Sequence, residues 1–401
     1  MNKRKRILII SAVFPPEQVT SAALNYDLAH ELAKTYDVTV LRPYPTRPIG
    51  MQFDNTDVDD SSFKIVLVNS YTHPESALLG RFKESIDFGR KSAEYIKQRH
   101  KEIDFVYNDG WQLFGLNIVA RACVKYGIPY IVPVQDIYPE CLLTKGSFPS
   151  FIKKIIKIVL LPIDKYCQKH AAKVRTISNE MADYLSSSRG IKRSSYVVVN
   201  NWQNDEDFAD IETNKSNDRI IFEYVGSINV HANVDMMIKA FKVADIPGSE
   251  LRIYGGGNQK EVCQNIVKEL QMNNVSFDFV SRAEIPHVQA SADVLLLALP
   301  KGNGGLCLPS KLTSYMLSGK PVIASIDKDS ATNRIIEEEH CGYVVEPDNE
   351  VAMADAFKRF AILKVEEREY MGKNSCNYAL KHLTKEVNLG IIVNEINKIL
   401  K

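Results

Sequence analysis

A glycine-rich stretch at residues 301–311, KGNGGLCLPSK, has the residue types of an anion-binding loop. Glycines leave backbone N–H groups accessible, Pro309 suits the first position of a helix, and a helix N-terminus carries partial positive charge. Lys311 adds a full charge to that first turn, where it opposes the helix dipole unless an anion lies opposite. The alternative is a flexible surface loop with a solvated lysine. The residues predicted to hold a phosphate here are Gly302, Asn303, Gly304, Gly305, Ser310 and Lys311.

Two further glycine turns follow apolar, β-branched runs in the same half of the chain. Gly226 and Ser227 end the first run, and Gly255, Gly256 and Gly257 end the second. Because glycine has no Cβ, the backbone can approach a ligand closely at either turn, but glycines are also ordinary in strand-to-helix turns. Both interpretations stay open on the sequence alone.

The first half of the chain has polar groups after two of its predicted strands. Pro15, Pro16 and Glu17 follow the first strand, where they either line an acceptor site or form a rigid strand exit before a capped helix. Gln135 and Asp136 follow a later strand, and Asp136 is a candidate base, a partner for a sugar hydroxyl, or a cap of the next turn. The first strand-to-helix turn contains no glycine, which argues against a dinucleotide cofactor there.

Residues 151–161, FIKKIIKIVLL, form a helical pattern with a basic stripe. At about 100° per residue, Lys153, Lys154 and Lys157 fall within an arc of about 100°, and the rest of the circumference is apolar. This pattern is typical of a helix in a membrane interface, and the alternative is a buried helix with one exposed stripe. Residues 145–193 contain 11 basic and 3 acidic residues, which favours the interaction with an anionic membrane.

Short apolar runs alternate with amphipathic helical patterns along almost the whole chain, which predicts an α/β fold of parallel sheets covered by helices. The alternation stops around residues 200–218 and then resumes, which predicts two doubly wound domains with a ligand cleft at the carboxyl ends of their strands. We place the N-terminal domain at residues 1–204 and the C-terminal domain at 205–384. Residues 385–401 form a final helix whose apolar stripe needs a buried surface.

The composition is that of a globular protein in a reducing compartment. With 401 residues, of which 45% are hydrophobic and 25% charged, the chain is long enough for two or three domains. Seven cysteines occur without a C-x-x-C pair, so neither a metal-ligand nor a disulfide pattern is present. The apolar run at 7–13 is cut short by prolines, too early for a signal peptide, and no stretch reaches the roughly 18 apolar residues of a bilayer span. A cytoplasmic protein without a nucleic acid partner is expected.

Several short segments, taken in order, resemble those of glycosyltransferase family 4, which has the two-domain GT-B fold with two Rossmann-like domains. They are most similar to the bacterial members that build capsule, O-antigen or colanic-acid repeat units. The resemblance covers essentially the whole chain, and its most specific part is 309–312, PSKL, which continues to 319–324, GKPVIA. The other matching segments are 14–17, 135–140, 176–178, 201–202, 224–226 and 291–294.

The resemblance implies a retaining glycosyltransferase that moves a sugar from a nucleoside-diphosphate donor, a UDP-sugar, to a saccharide on polyprenyl pyrophosphate. It implies no metal and no other cofactor, a peripheral position on the inner face of the cytoplasmic membrane, and a last helix that crosses back to the first domain. Lys311 is expected to stabilise charge on the leaving diphosphate, and Asp136 to orient hydroxyls. The implied donor-binding residues are Gly226, Ser227, Gly256, Gly257, Gly302, Asn303, Gly304, Gly305, Ser310, Lys311 and Ser314, and the implied acceptor-binding residues are Pro16, Glu17, Gln135 and Asp136.

The chain departs from the family pattern mainly around the donor phosphates. Many members have an arginine at the position of Ser227, which would contact those phosphates. The widespread E-x7-E pattern falls at Leu306 and Ser314, so both glutamates are missing, and the second one usually holds the nucleotide ribose. Members also commonly have two glycines at the positions of Val19 and Thr20.

Two other functions stay open. A non-hydrolysing UDP-sugar 2-epimerase has a similar two-domain fold, but it has no reason to carry the basic amphipathic helix. A catalytically degraded binding subunit of a partner transferase would explain the missing arginine and glutamates. The intact glycine-rich loop and Lys311 argue against that second alternative.

Overall fold

The structure is a computed structural model, and it describes residues 4–47, 51, 53, 60–72, 78–145, 149–209, 211, 219–302 and 308–401. The chain forms two compact units. The first comprises Met1–Ile177, Met181–Val199 and Leu389–Lys401, and the second comprises Ser178–Glu180 and Asn200–Asn388. The α/β fold class with two sheets, predicted from the sequence, is confirmed.

The first unit contains a parallel sheet and its covering helices. The sheet has the strand order β3-β2-β1-β4-β5-β6-β7. In chain order these elements are β1 (Arg6–Ser11), α1 (Thr20–Ala33), β2 (Asp37–Pro43), β3 (Lys64–Val68), α2 (Leu78–Arg99), β4 (Phe105–Asp109), α3 (Phe114–Tyr126), β5 (Tyr130–Val134), α4 (Glu140–Lys145), α5 (Ser150–His170), β6 (Lys173–Thr176), α6 (Asn179–Arg189) and β7 (Tyr196–Val198).

The second unit contains a second parallel sheet, with the strand order β10-β9-β8-β11-β12-β13. In chain order, its elements and the last helix are β8 (Ile220–Val225), α7 (Val234–Ala244), β9 (Ser249–Tyr254), α8 (Lys260–Glu269), β10 (Val275–Asp278), α9 (Ile285–Ser291), β11 (Val294–Ala298), α10 (Ser310–Leu317), β12 (Val322–Ser325), α11 (Ala331–Glu338), β13 (Gly342–Val345), α12 (Glu350–Ala361), α13 (Val365–His382) and α14 (Lys385–Leu400).

The strand order reverses beside β1 in the first sheet and beside β8 in the second. At such a reversal the loops that follow neighbouring strands diverge, and the carboxyl ends of the strands are the usual place for a ligand. In the second unit, the turn after β8 and the loop between β11 and α10 both lie at this edge of the sheet. The resemblance to family 4 places implied donor-binding residues in both of these segments.

Both sheets are buried because helices cover them. Every residue of β11 is buried, as expected of a parallel strand that is covered on both faces. In the second unit, the ring of Phe222 on β8 lies 5.7 Å from Phe241 on α7 and 4.9 Å from Phe357 on α12, measured between ring centroids. These aromatic contacts join two helices to the strand that leads into the Gly226 turn.

The last helix, α14, has its C-terminal part in the first unit. Leu389, Ile392 and Ile396 are buried, in agreement with the apolar stripe seen in the sequence. The side chain of Asn397 accepts a hydrogen bond from the hydroxyl of Tyr36, and Glu395 lies 3.6 Å from the ammonium of Lys173. Residues 389–401 therefore belong to the first unit although they follow the second in sequence.

Strand β8 contains a buried carboxyl group, that of Glu223. Glu223 is fully buried, and neither of its carboxylate oxygens has a hydrogen-bond partner among the described residues. Burial raises the pKa of Glu223 to about 8, although the charges of Arg252 and Lys320 act in the opposite direction. The carboxyl group is therefore protonated in the folded protein at neutral pH, whereas it ionises in the unfolded chain.

Replacing Glu223 with glutamine should flatten the pH dependence of stability. A folded-state pKa of about 8, above the ordinary glutamate value of 4.5, means that the parent loses stability as pH rises through this window, by up to about 1.4 kcal/mol per pH unit. Denaturant unfolding between these pH values measures the slope for parent and Glu223→Gln. The control is Glu261→Gln, which changes an exposed glutamate on α8 and should show the same slope as the parent. Equal slopes for parent and Glu223→Gln would contradict the assignment.

Candidate active site

The side chain of Lys311 packs on the turn that follows β8. Gly226 has a φ of +149°, and its N–H donates to the carbonyl of Tyr254 at 2.8 Å. A Cβ on Gly226 would overlap Cε of Lys311 and lie 2.9 Å from its Nζ. Glycine at this position therefore allows the lysine stem to lie directly on the backbone that follows β8.

The second glycine turn packs against the first. A Cβ on Gly255 would overlap the carbonyl oxygen of Gly226, and a Cβ on Gly257 would overlap that of Ile228. The N–H of Ile228 also donates to the carbonyl of Gly256 at 2.8 Å. Gly255 and Gly257 thus allow the close approach of two strand-end turns, and the donor-binding role of Gly257 stays a prediction. A Cβ on Gly256 would meet no atom within 4 Å, so a ligand can approach there.

Tyr315 fixes the helix that carries Lys311. Its hydroxyl donates to the carbonyl of Val225 at 3.1 Å and accepts from the N–H of the same residue at 3.1 Å. Because residues four apart share a helix face, Lys311 lies one turn earlier on the side of α10 that faces the end of β8. Its ammonium is 5.4 Å from the ring centroid of Tyr224. Neither Tyr315 nor Tyr224 was predicted as a site residue, although the spacing of four from Lys311 was a usable signal for Tyr315.

The electrostatic surroundings of Lys311 favour an anion. Its pKa is lowered by burial, and no carboxylate forms an ion pair with it in the part of the chain that the structure describes. Helix α10 begins at Ser310 with no side-chain cap and no acidic residue in its first turn. The helix N-terminus and the ammonium are therefore two positive groups without a compensating negative one, and a phosphate would stabilise both.

The loop that precedes α10 is anchored where it leaves β11. The N–H of Gly302 lies 3.0 Å from each carboxylate oxygen of Asp327, and the N–H of Lys301 donates to Asp348 at 3.1 Å. Gly302 adopts a φ of +81°, in the left-handed region that favours glycine. The predicted donor-binding residues Asn303, Gly304 and Gly305 lie outside the described residues.

The predicted serines have different surroundings. Ser227 and Ser310 are exposed at the end of β8 and the start of α10. Ser314 is buried, and its hydroxyl donates to the carbonyl of Lys311 at 3.0 Å and accepts from the amide of Gln289 at 3.2 Å. Ser314 therefore fixes the first turn of α10, and its role towards a nucleotide ribose stays a prediction.

The predicted acceptor residues all lie in the first unit, at the carboxyl ends of β1 and β5. Glu17 is buried, and its carboxylate accepts hydrogen bonds from the N–H groups of Phe14, Thr46 and Arg47 at 3.2, 2.9 and 3.0 Å. It therefore joins the loop after β1 to the loop after β2. Burial raises the pKa of Glu17.

The other acceptor candidates are more accessible than Glu17. Asp136 is exposed after β5, while Pro16 and Gln135 are partly buried. No described side chain forms a hydrogen bond or ion pair with Asp136, so its carboxylate is available to a ligand. Its assignment to hydroxyl groups of donor or acceptor stays a prediction.

Two family models match this chain along most of its length. The model described as Glycosyltransferase Family 4 matches residues 22–206, and the model described as Glycosyl transferases group 1 matches residues 205–377. The chain belongs to glycosyltransferase family 4. The second match includes the turn at Gly226 and the helix that carries Lys311. The contacts of Lys311 described above therefore lie within the residues that match the family model.

Similar proteins agree with membership of family 4. The probable glycosyltransferase WbjE of Pseudomonas aeruginosa is 24% identical over 239 residues, which are 57% of this chain and 58% of that protein. The match thus spans less than two thirds of the relative's length. Likeness to solved structures extends over nearly the whole chain at low sequence identity, which shows that this family-4 glycosyltransferase has the GT-B fold.

Three of these solved structures illustrate the likeness. Sucrose-phosphate synthase from Thermosynechococcus elongatus has a TM-score of 0.76 at 15% identity, with 99% of each chain covered. HepE from Anabaena, solved with UDP and glucose, has a TM-score of 0.67 at 15% identity, with 98% of this chain and 100% of that chain covered. WaaG, a glycosyltransferase of lipopolysaccharide biosynthesis, has a TM-score of 0.66 at 13% identity, with 95% and 97% covered.

Replacing Gly226 with alanine should displace the side chain of Lys311 from the turn after β8. The new Cβ overlaps Cε of Lys311, and the stem can swing away because it is flexible, so nucleoside-diphosphate affinity should fall about as far as in Lys311→Ala. The positive φ adds a stability cost of about 1–3 kcal/mol that should not depend on the lysine. Calorimetric titration with UDP and denaturant unfolding measure the two effects. In the double variant the affinity losses should not add, and additive losses would show that Gly226 acts independently of Lys311.

Proposed function

We propose that this chain is a retaining glycosyltransferase that moves a sugar from a UDP-sugar to a lipid-linked saccharide during synthesis of a bacterial surface polysaccharide such as capsule or O-antigen. The observation that carries the proposal is the position of Lys311, which lies on the Gly226 turn beside the uncapped start of α10. The matches to WbjE and WaaG support an acceptor in surface polysaccharide synthesis.

The donor diphosphate is the proposed ligand of Lys311. A nucleoside diphosphate supplies the negative charge that the ammonium and the first N–H groups of α10 lack. UDP is the proposed nucleotide, since the similar HepE structure contains UDP. Ser227 stands where many relatives have an arginine, so Lys311 carries a larger share of the charge compensation than its equivalent does in those relatives.

The chemistry requires stabilisation of a leaving group. As the anomeric C–O bond breaks, negative charge grows on the departing diphosphate, and fixed positive groups aimed at this charge lower the barrier by several kcal/mol. Lys311 is held for this task by the Tyr315 clamp on Val225 and by its contact with Gly226. In a retaining transfer the acceptor hydroxyl attacks from the face of the leaving group, and the departing phosphate takes the proton. Asp136 is assigned to orient hydroxyl groups.

Helix α5 is proposed to bind the membrane that carries the acceptor. Phe151, Ile155 and Ile158 are 67%, 56% and 64% exposed, and their spacing places them within an arc of about 60°. Lys154 and Lys157 are exposed beside this stripe, and none of the exposed residues of α5 is acidic. Apolar side chains flanked by lysines fit an anionic lipid surface. No helix within the described residues is long and apolar enough to cross a membrane.

Lys311→Ala should slow sugar transfer without unfolding the protein. An interaction that strengthens as the diphosphate leaves appears mainly in kcat, and a loss of about 3 kcal/mol corresponds to turnover slower by on the order of 100-fold. Transfer at saturating UDP-sugar measures kcat, and UDP titration measures ground-state binding. The control is Lys301→Ala, which removes an exposed lysine near the same loop and should keep most of the activity.

The outcomes of this experiment separate three functions. Unchanged turnover in folded Lys311→Ala would contradict the proposed role of the lysine. A parent protein that binds UDP but transfers no sugar from any donor would indicate a binding subunit. Interconversion of UDP-sugars at C2 without an acceptor would indicate an epimerase.

Replacing Lys153, Lys154 and Lys157 with glutamate should release the protein from anionic vesicles. Each basic residue near such a surface contributes about 1 kcal/mol, and salt screens the attraction. Co-sedimentation with phosphatidylglycerol-rich vesicles at low salt measures the binding. The matched control replaces Lys242, Lys268 and Lys358, all exposed in the second unit, with glutamate and should sediment like the parent. Equal sedimentation of the α5 variant and the parent would refute the assignment.

A further inference from the structure

The first unit contains two arginines that share one buried carboxylate. Arg47 follows β2, and its Nη2 lies 2.8 and 2.9 Å from the two carboxylate oxygens of Glu84 on α2. Arg81, one turn earlier on α2, reaches the same carboxylate through a single contact of 3.4 Å. Glu84 is 1% exposed and Arg81 is 31% exposed, measured on their side chains. The two arginines thus share one carboxylate, and its two shortest contacts are with Arg47.

Both guanidinium groups lie against the same indole ring. The guanidinium carbon of Arg47 is 4.4 Å from the ring centroid of Trp111, and that of Arg81 is 5.6 Å from it. The indole N–H of Trp111 is buried and has no acceptor among the described residues. Burying an N–H group without an acceptor costs free energy. An anion would accept a hydrogen bond from this N–H and would also interact favourably with the charge of Arg81.

Among the residues that the structure describes, nearby acidic groups do not supply that anion. Glu17 is close to Arg47, but its carboxylate accepts from three backbone N–H groups. Glu84 is the one carboxylate that Arg81 reaches in the part of the chain that the structure describes. Burial, with the like charge of Arg47, lowers the pKa of Arg81, while the charge and the hydrogen bond of Glu84 act in the opposite direction.

The cluster lies at an edge of the sheet where ligands bind. Arg47 follows the carboxyl end of β2 and Trp111 follows that of β4, and these two strands flank β1, where the strand order reverses. The hydroxyl of Ser85 on α2 donates to the carbonyl of Gln112 at 2.8 Å and accepts from the N–H of Gly115 at 2.8 Å. The loop that carries Trp111 is therefore fixed to the helix that carries Arg81, so the donors are preorganised.

We propose that Arg81, Arg47 and the indole N–H of Trp111 form an anion site in the first unit that binds the phosphate or pyrophosphate of the acceptor substrate. Guanidinium groups match phosphate oxygens in geometry, and an added anion would compensate the second arginine without disturbing the pair of Arg47 with Glu84. The identity of the acceptor rests on the proposed function, whereas the existence of the site does not. Arg47 also supports the loop structure, so Arg81 is the residue to vary.

Inorganic pyrophosphate is the probe, titrated calorimetrically at low salt into the Lys311→Ala protein so that the donor site contributes little. Adding Arg81→Gln should weaken binding by about tenfold or more, because a charge-assisted contact is lost. Arg81→Lys should restore part of the affinity. Arg90→Gln, an exposed arginine on the same helix, is the matched control and should bind like its Lys311→Ala parent. Trp111→Phe, which keeps the ring and removes the N–H, should weaken binding as well.

Equal pyrophosphate affinity with and without Arg81→Gln, in proteins with the same unfolding midpoint, would overturn the proposal. Farnesyl pyrophosphate, tested in the same variants, identifies the source of the anion. Tighter binding of the farnesyl compound supports a lipid-linked acceptor, and equal binding of the two probes supports a soluble phosphate at the same site. The donor proposal is judged separately, because it fails if UDP binds equally well to the otherwise unaltered chain and to Lys311→Ala.

Discussion

The hydroxyl of Tyr315 holds the end of β8 through both backbone groups of Val225, and the position of Lys311 depends on these two hydrogen bonds. It fixes α10 against the strand, so the lysine one turn earlier must lie over the Gly226 turn. Gly226 then accepts the stem of Lys311, and Gly255 allows the neighbouring turn to approach from the other side. A cation in the first turn of a helix is unfavourable alone, and these contacts hold the lysine there.

Glutamate side chains have a corresponding task in the first unit. Glu17 joins the loops after β1 and β2, and Glu84 joins the second of these loops to α2. Glu140 forms two hydrogen bonds with Arg189 at 2.7 and 2.9 Å, which tie the segment after β5 to α6. These three glutamates thus serve to connect loops and helices within the first unit. Asp136, by contrast, is exposed and forms no hydrogen bond or ion pair with a described side chain.

The fold could be predicted because its signals are local: apolar runs of strand length, helical stripes and the break near residues 200–218 appear in neighbouring residues. Lys311 was also found locally, from its place after a glycine-rich loop. Local sequence could not show why residue 226 must be glycine. The requirement comes from Lys311, which is 85 positions later and packs on the backbone of Gly226. Likewise, Arg47, Arg81 and Trp111 belong to separate segments, and only the strand order brings them together. Ser314 shows the reverse case, because a family position indicated a ligand while the structure gives its hydroxyl internal partners.

The return of α14 to the first unit sets an order of events during synthesis. The ribosome produces the whole second unit before residues 389–401 emerge, so the surface that receives Leu389, Ile392 and Ile396 stays uncovered throughout that time. The second unit is complete as soon as its own segment is made, whereas the first unit, although translated earlier, is completed last. A chain interrupted shortly before residue 389 therefore exposes apolar surface on the first unit while the second unit is fully formed, which makes such fragments ready substrates for chaperones and proteases.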